Sequence, residues 1–357
     1  MNWEERWQAE RARLITALGW LAASGGRGGG GSDHIGLIEQ IMPLGVGGLS
    51  GTAAADRLEL GLATWPFPPA ESTLAALAGL GYVPLAEQPD VELMLFQRTD
   101  DGTQLLVAES GSTGWTHACL LREFAAANEV ARAGLAAAGL YPQAAGALLT
   151  TAATWWPTAV GFAPLQAVAQ EMVGCPCPWA ISSGWALDLF LGRATRVHHD
   201  VDLVVDRGDQ FALRAHLEDR GYGLVTPLDG QLEPWPPHMR LELPRHQVHA
   251  HRENDFIDIL LTDFTGACWH YRRDPNIVRS LARAFRATED GTRYLAPELV
   301  LLFKSKNTGC RARPQDQRDF ELVLPHLDAE PRAWLHWAFV ATDPQHPWLE
   351  SLAGAIG

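Results

Sequence analysis

The sequence predicts an α/β protein of the α+β kind, built as two domains, each a small mixed sheet flanked by helices, with a helical extension at the C-terminal end. Three observations predict it. At 357 residues the chain exceeds the size at which a single core keeps growing. Short apolar or alternating runs, which read as strands, interleave with segments of helical spacing in both halves. The balance of 47% hydrophobic and 20% charged residues belongs to folded globular chains, not to fibrous or disordered ones.

The elements follow in order. Trp3 to Leu21 carries apolar residues at helical spacing and is ended by the Gly-rich run Gly25 to Ser32. Leu58 to Leu62, Val91 to Arg98 and Leu105 to Ala108 read as strands, while Ser72 to Leu80 and Leu120 to Ala138 read as helices. Ala144 to Phe162, rich in Ala, Thr and Trp and containing Pro157, is expected to be a helical connector carrying the domain boundary. The first domain is therefore placed at residues 1–158 and the second at 159–357, the latter with a core over 164–265 and a helical part over 295–357. A fresh helix is expected from Leu165 to Met172.

Trp179 to Asp206 reads as strand (Trp179 to Ile181), tight turn (Ser182-Ser183-Gly184), helix (Trp185 to Leu191), a stop at Gly192 and a buried strand (Val201 to Val205). Small residues opening a helix let an anion approach the unpaired N–H groups of its first turn, at the favourable end of the dipole. Ser183 and Gly184 are thus candidates to seat a phosphate, although Ser-Ser-Gly is equally an ordinary helix cap. Asp200 and Asp202 lie two apart at the start of a strand, so their carboxylates share a face and repel unless a cation sits between them. Phosphoryl transfer uses that arrangement, with Mg²⁺ neutralising and orienting a triphosphate.

The net charge of −14 argues against a nucleic-acid partner, which needs clustered Lys and Arg, and suits a cationic small molecule. No apolar stretch reaches membrane-spanning length, and Met1 to Glu5 lacks the start of a signal peptide, so a cytoplasmic location is expected. Five scattered cysteines (Cys119, Cys175, Cys177, Cys268, Cys310) favour free thiols. Cys175-Pro176-Cys177 is half a metal motif without a second pair, and is read as thiols in a Pro-rich turn. His246, His249 and His251 lie in a strand-like stretch and are expected to be solvated on a hairpin. The fourteen tryptophans are read mainly as core and corner packing.

The run Gly184-Trp185-Ala186, Asp188, Gly192-Arg193, Thr195-Arg196, His198 and Asp200-Val201-Asp202 closely resembles the segment that defines the aminoglycoside 2''-adenylyltransferase and lincosamide nucleotidyltransferase family. One departure is Ser183, where the family usually has glycine; His199 stands at a variable place. The resemblance implies a nucleotidyltransferase fold, an NTP co-substrate (ATP expected), Mg²⁺ held by Asp200 and Asp202, and a small hydroxylated, cationic acceptor such as an aminoglycoside. It also implies a third carboxylate on a neighbouring strand. Asp258, in the otherwise apolar Phe256 to Leu261, is the candidate for general base or third metal ligand, with Asp255 and Asp263 as rivals. The helix Pro297 to Lys306 would deliver a lysine, Lys304 or Lys306, to the triphosphate, followed by the acidic pair Asp316 and Asp319 before Phe320. Arg193, Arg196 and His198 are candidates for phosphate oxygens, or for pairing with Asp188 or Asp200. The alternatives are transfer to a protein or RNA end, as in toxins, and an inactive binding or assembly module.

In the first half, Trp7 to Leu18, Ile38-Glu39-Gln40-Ile41, Val46, Gly48-Leu49, Asp56, Gly81-Tyr82 and Leu121-Arg122-Glu123-Phe124 are similar to the GrpB family, itself nucleotidyltransferase-like. Where that family carries His-Ile-Gly-Ser-Thr, this chain has Gln40 to Leu44; Leu58 stands two beyond Asp56, and Gln104 to Val107 replaces a His-x-His. The expectation is a degenerate copy that holds no metal nucleotide and serves structure or an interface.

Overall fold

The computed structural model describes residues 3–18, 37–45, 58–65, 67–88, 92–109, 111–138, 146–198, 200–228, 231–252, 255–305 and 312–354. The Gly-rich run Gly25 to Ser32, Val46, Gly48-Leu49, Asp56, His199, Lys306 and Cys310 lie outside the described residues. The chain divides into two compact units, Met1–Ala159 with Asp229–Gln231, and Val160–Leu228 with Leu232–Gly357. Among the described residues no helix is long and apolar enough to cross a membrane.

The first unit runs α1 (Trp3–Leu18), β1 (Leu37–Pro43), β2 (Glu59–Trp65), α2 (Glu71–Gly79), β3 (Tyr82–Gln88), β4 (Leu93–Arg98), β5 (Gln104–Glu109), α3 (Thr113–Ala127), α4 (Glu129–Ala138) and α5 (Gly146–Ala159). Its sheet has the order β1-β2-β5-β4-β3, with β2 and β5 parallel and the other pairs antiparallel. Alternate apolar side chains of β2 and β5 (Leu60, Leu62, Leu105, Val107) join Trp7 and Leu14 of α1 and Leu77 of α2 in one buried cluster, as the two-residue period of a strand requires. The helix expected over Leu120 to Ala138 is two helices. Asn128 leaves helical space at φ −138° and ψ 118°, and its Oδ1 caps α4 by accepting from the Ala131 N–H at 2.9 Å. The Ala/Thr/Trp-rich segment is helical, as α5, and packs back on α3 through Phe124 and Trp155, whose rings lie 5.3 Å apart.

The second unit runs α6 (Ala163–Glu171), β6 (Trp179–Ile181), α7 (Ser183–Leu191), β7 (Asp202–Asp206), α8 (Gln210–Asp219), β8 (Gly223–Leu228), β9 (Gln231–Pro234), β10 (Gln247–Arg252), β11 (Asp255–Thr265), β12 (Cys268–Tyr271), β13 (Asp274–Ser280), α9 (Leu281–Ala284), β14 (Phe285–Ala287), β15 (Arg293–Leu295), α10 (Pro297–Lys304), α11 (Pro314–Val323), α12 (Ala329–Thr342) and α13 (Trp348–Ala353). Its sheet has the order β14-β15-β6-β7-β11-β10-β8-β9, and the far end of β11 continues into β12 and β13. Helix α10 is buried nearly all round, from Pro297 to Leu302 and again at Lys304, because α7, α11 and α12 enclose it.

The two sheets repeat one plan. In the first unit β1 is antiparallel to β2, β2 is parallel to β5, and β5-β4-β3 continue antiparallel. In the second, β6, β7, β11, β10 and β8 follow the same order and sense. In both, the second strand leads through a helix, α2 or α8, to the strand at the fifth place, β3 or β8, and in the second unit β9 lies outside it. Each unit is therefore the small mixed sheet flanked by helices that the sequence predicts.

Candidate active site

The parallel pairing of β7 and β11 sets Asp202 opposite Asp258, and the antiparallel pairing of β11 and β10 sets Asp258 opposite His249. Residues in register project from the same face of a sheet, so Asp202, Asp258 and His249 form one row across three strands. Backbone bonds hold the row: Ser182 N–H donates to Asp202 C=O at 2.8 Å and Asp258 N–H to Val201 C=O at 3.1 Å. Asp200 stands just before β7, where Trp185 Nε1 of α7 donates to its carbonyl at 2.9 Å.

Asp258 is 6% exposed; burial, then Asp202 and Asp200, push its carboxyl well above the usual range. Burial and then Asp200 raise Asp202 to about 7, against the pull of Lys304, the Ser183 hydroxyl and Arg196. Burial raises Asp200 as well, opposed by Arg196, Arg313 and Lys304. Asp200 raises both of the other carboxyls and Asp202 raises Asp258, a repulsion among hard oxygen donors that a divalent cation would relieve. Among the described residues no three His, Cys, Asp or Glu side chains converge as a preformed cage. The rivals of Asp258 are otherwise engaged: Asp255 pairs with Arg252 at 2.6 Å on the surface and Asp263 with Arg207 at 2.6 Å.

Beside the acids lies a buried ion cluster. Lys304 Nζ is 2.9 Å from Asp316 and 2.8 Å from Asp319, Arg196 is 3.3 Å from Asp319, and Arg313 is 2.8 Å from Asp316. Burial opposes the charge of Lys304, but Asp316 and Asp319 overcome it and raise the ammonium above its ordinary value. Three cations against two carboxylates leave one positive charge in excess, facing Asp200 and Asp202. Arg196 thus pairs with Asp319, and Asp188 adds a weaker attraction. Arg313, unmarked by any reading of the sequence, belongs to this cluster because α11 begins beside it.

The turn opening α7 combines two constraints. Ser183 has φ +54°, in the left-handed region that disfavours any side chain with a Cβ, which is the physical reason glycine suits this place. At Gly184 a Cβ would lie 2.4 Å from Arg196 Nη2 and 2.7 Å from His198 Cε1. Both neighbours are pinned, Arg196 by Asp319 and His198 by Asp188 Oδ2 at 2.7 Å and by stacking on Trp185 at 4.1 Å. Burial, followed by Arg196, lowers the imidazole of His198 to about 4, so it is neutral near pH 7 and buttresses the turn. The Arg193 side chain is exposed.

Of the three histidines expected to be solvated on a hairpin, His246 is buried and His249 nearly so, while His251 is exposed. The His249 side chain is 12% exposed and its Nε2 lies 3.9 Å from Asp258 Oδ1; burial and then His251 lower it to about 4. Gln247, two residues earlier on the same face, donates from Nε2 to Asp258 Oδ2. Only strand register reveals these two as neighbours of the acids. Cys175 and Cys177 stand 3.2 Å apart, sulfur to sulfur.

The second unit is similar in sequence to nucleotidyltransferases. Residues 164–242 match the family model of the aminoglycoside-2''-adenylyltransferases. No curated protein matches the chain. Solved structures that match include that of ANT(2'')-Ia in complex with adenylyl-2''-tobramycin, at 16% identity and TM-score 0.31 over 54% of this chain and 94% of that one. The lincosamide antibiotic adenylyltransferase LnuA, lincomycin-bound, matches at 18% identity and TM-score 0.33, over 44% of this chain and 93% of its own. A third is an antigenic nucleotidyltransferase-like protein from Paracoccidioides brasiliensis, at 19% identity and TM-score 0.34 over 53% of this chain and 89% of that one.

Proposed function

We propose that the second unit transfers AMP from ATP to a hydroxyl of a small cationic acceptor of the aminoglycoside kind. The observation that carries this reading is the row Asp202–Asp258, fixed by parallel register, beside a cluster with one cation in excess. A divalent cation, Mg²⁺, held by Asp200 and Asp202 with Asp258 alongside, would neutralise and orient the triphosphate. The first-turn N–H groups at Ser183 and Gly184 and the excess charge of the Lys304, Arg196 and Arg313 cluster receive the β and γ phosphates. Asp258 accepts the proton of the acceptor hydroxyl at Oδ1. The hydroxyl oxygen bonds to the α phosphorus as the bond to the β-phosphate oxygen breaks, and pyrophosphate leaves. The matched family model and the −14 net charge favour a polyamine-bearing acceptor, since an acidic surface draws cations.

The first unit carries the same strand plan with only one acid in the corresponding row. At the positions in register with Asp202, Asp258 and His249 it has Glu59, Gln104 and Gln97, so the base is replaced by an amide. Its proposed role is that of a degenerate GrpB-like copy, over residues 1–158, serving structure or an interface. The test of the whole reading is Mg²⁺-dependent transfer of α-labelled ATP to a panel containing tobramycin and lincomycin. Transfer that survives Asp202→Asn refutes it.

A further inference from the structure

Two buried acceptor atoms on side chains that are hydrogen-bonded to each other have no partners: Asp258 Oδ1 and Gln247 Oε1. Gln247 is 5% exposed and Asp258 6% exposed, and both belong to the face shared by β10 and β11. With Asp258 ionised, as accepting the hydroxyl proton in the transfer reading requires, turning the amide of Gln247 would set two acceptors against each other; Nε2 donates to Asp258 Oδ2, and Oε1 has its lone pairs unused. Its backbone is fixed as well, because Thr226 Oγ1 donates to the Gln247 carbonyl at 3.0 Å. Most buried acceptors in folded proteins are paired. Here two lack a donor, one an oxygen of Asp258 and one the amide oxygen of the side chain bonded to it.

We infer that Gln247 forms, with Asp258, the subsite for the acceptor, and that it selects a hydroxyl flanked by a second donor, an amino-alcohol or a vicinal diol. The reacting hydroxyl donates to Asp258 Oδ1. The neighbouring amine or hydroxyl donates to Gln247 Oε1, while Gln247 Nε2 keeps the carboxylate oriented through Oδ2. His249, with Nε2 at 3.9 Å from Oδ1, bounds the subsite on its β10 side. The chemistry explains why a neutral amide stands here: a second carboxylate would repel Asp258, and an apolar side chain would leave the flanking donor unpaired, a loss to which binding sites are sensitive.

The inference rests on the transfer reading above, and the experiment separates the two. Tobramycin is titrated calorimetrically into the full chain, and transfer from α-labelled ATP is measured with tobramycin and ATP varied in turn, for wild type, Gln247→Met and Gln247→Glu. Gln247→Met, of nearly equal volume, is expected to raise the tobramycin Kd and KM at least tenfold and to leave the KM for ATP within twofold. Gln247→Glu keeps an acceptor at the Oε1 position but removes the donor to Asp258; it is expected to bind tobramycin no worse than wild type and to lower kcat at least tenfold. A tobramycin Kd unchanged in Gln247→Met, or equal rises in both KM values, overturns the inference while leaving transfer intact. Binding that responds as expected in a wild type that transfers nothing refutes the transfer reading and supports the subsite. Absence of both binding and transfer overturns both.

Discussion

Replacing Lys304 by Met removes the central cation of the buried cluster and leaves Asp316 and Asp319 with one guanidinium each. Lys304 is 6% exposed, Asp316 fully buried and Asp319 5% exposed, so the uncompensated charge cannot be made good by water. Breaking a buried pair from one side costs about 3–5 kcal/mol; because Arg196 and Arg313 remain, the lower end, about 3 kcal/mol, is the expected loss. The pH dependence follows in sign. Arg196 and Lys304, working against burial, hold Asp319 at about 2 against an ordinary 3.8, and Arg313 and Lys304 lower Asp316 further. A carboxyl whose folded value is depressed binds its proton more readily when unfolded, so its contribution is complete above about pH 4 and is lost as the pH falls toward 2. For Asp319 that contribution is about 2 kcal/mol at neutral pH. In Lys304→Met the folded values rise toward ordinary ones, so the acid transition moves upward and the pH-dependent span shrinks. Hydrogen exchange of peptides from α10 and α11, read from pH 3 to 7, reports this locally in a two-unit chain whose global unfolding need not be two-state. Unchanged protection of α11 at pH 7 would refute the reasoning.

Three further expectations follow from the site. At residue 183, Gly should exceed Ala in stability by about 1 kcal/mol, since both lack the hydroxyl and only glycine relaxes at φ +54°; equal melting temperatures would contradict the strain argument. Gly184→Ala, whose Cβ meets Arg196 and His198 below 3 Å, should cost about 1–3 kcal/mol and disorder the turn; a melting temperature at the wild-type value would refute that packing. Asp258→Asn should lower kcat by about 10²–10⁴ while ATP binding, read by calorimetry with Mg²⁺, persists; parallel loss of both would assign Asp258 to nucleotide binding instead of proton transfer.

Legibility in the sequence depended on how local each feature is. The strand, turn, helix and strand from Trp179 to Asp206 is specified by neighbours in sequence, with Gly192 at φ +70° ending α7 as a glycine stop should, and it reads almost residue for residue. The β7–β11 pairing joins residues more than fifty positions apart, yet Asp258 was visible because an acid in an apolar run is costly enough to stand out. His249 and Gln247 carry no such signal: a His or Gln in an alternating strand is ordinary, and only register with Asp258 gives either a neighbour. Arg196 stands out in the sequence but its ion pair with Asp319 does not, since Asp319 lies 123 positions away; Asp188, the nearer candidate, binds His198 and Thr195. The break at Asn128 is hidden for a different reason. Helical spacing continues across it, and the cap overrides the periodicity.

The repeated strand plan bears on how one chain carries two such units with one set of acids. The topology alone requires only that the first, second and third core strands run antiparallel and then parallel, and both units meet it with apolar side chains. Burying acids at the register row is costly, burial raising the carboxyls of Asp202 and Asp258, so a unit not using them gains by losing them. In the first unit the row keeps one acid, Glu59, and has amides, Gln104 and Gln97, at the other two places. The second unit retains the costly row because chemistry requires it, and it adds the compensating Lys304, Arg196 and Arg313 beside it. Restoring Gln104→Asp in the first unit should therefore lower that unit's stability without creating a site, because no counterpart of the cation cluster is part of the strand plan that the two units share. A melting temperature that rises in Gln104→Asp when Mg²⁺ is added would show that the first unit retains a cation site, and that it is degenerate in sequence alone.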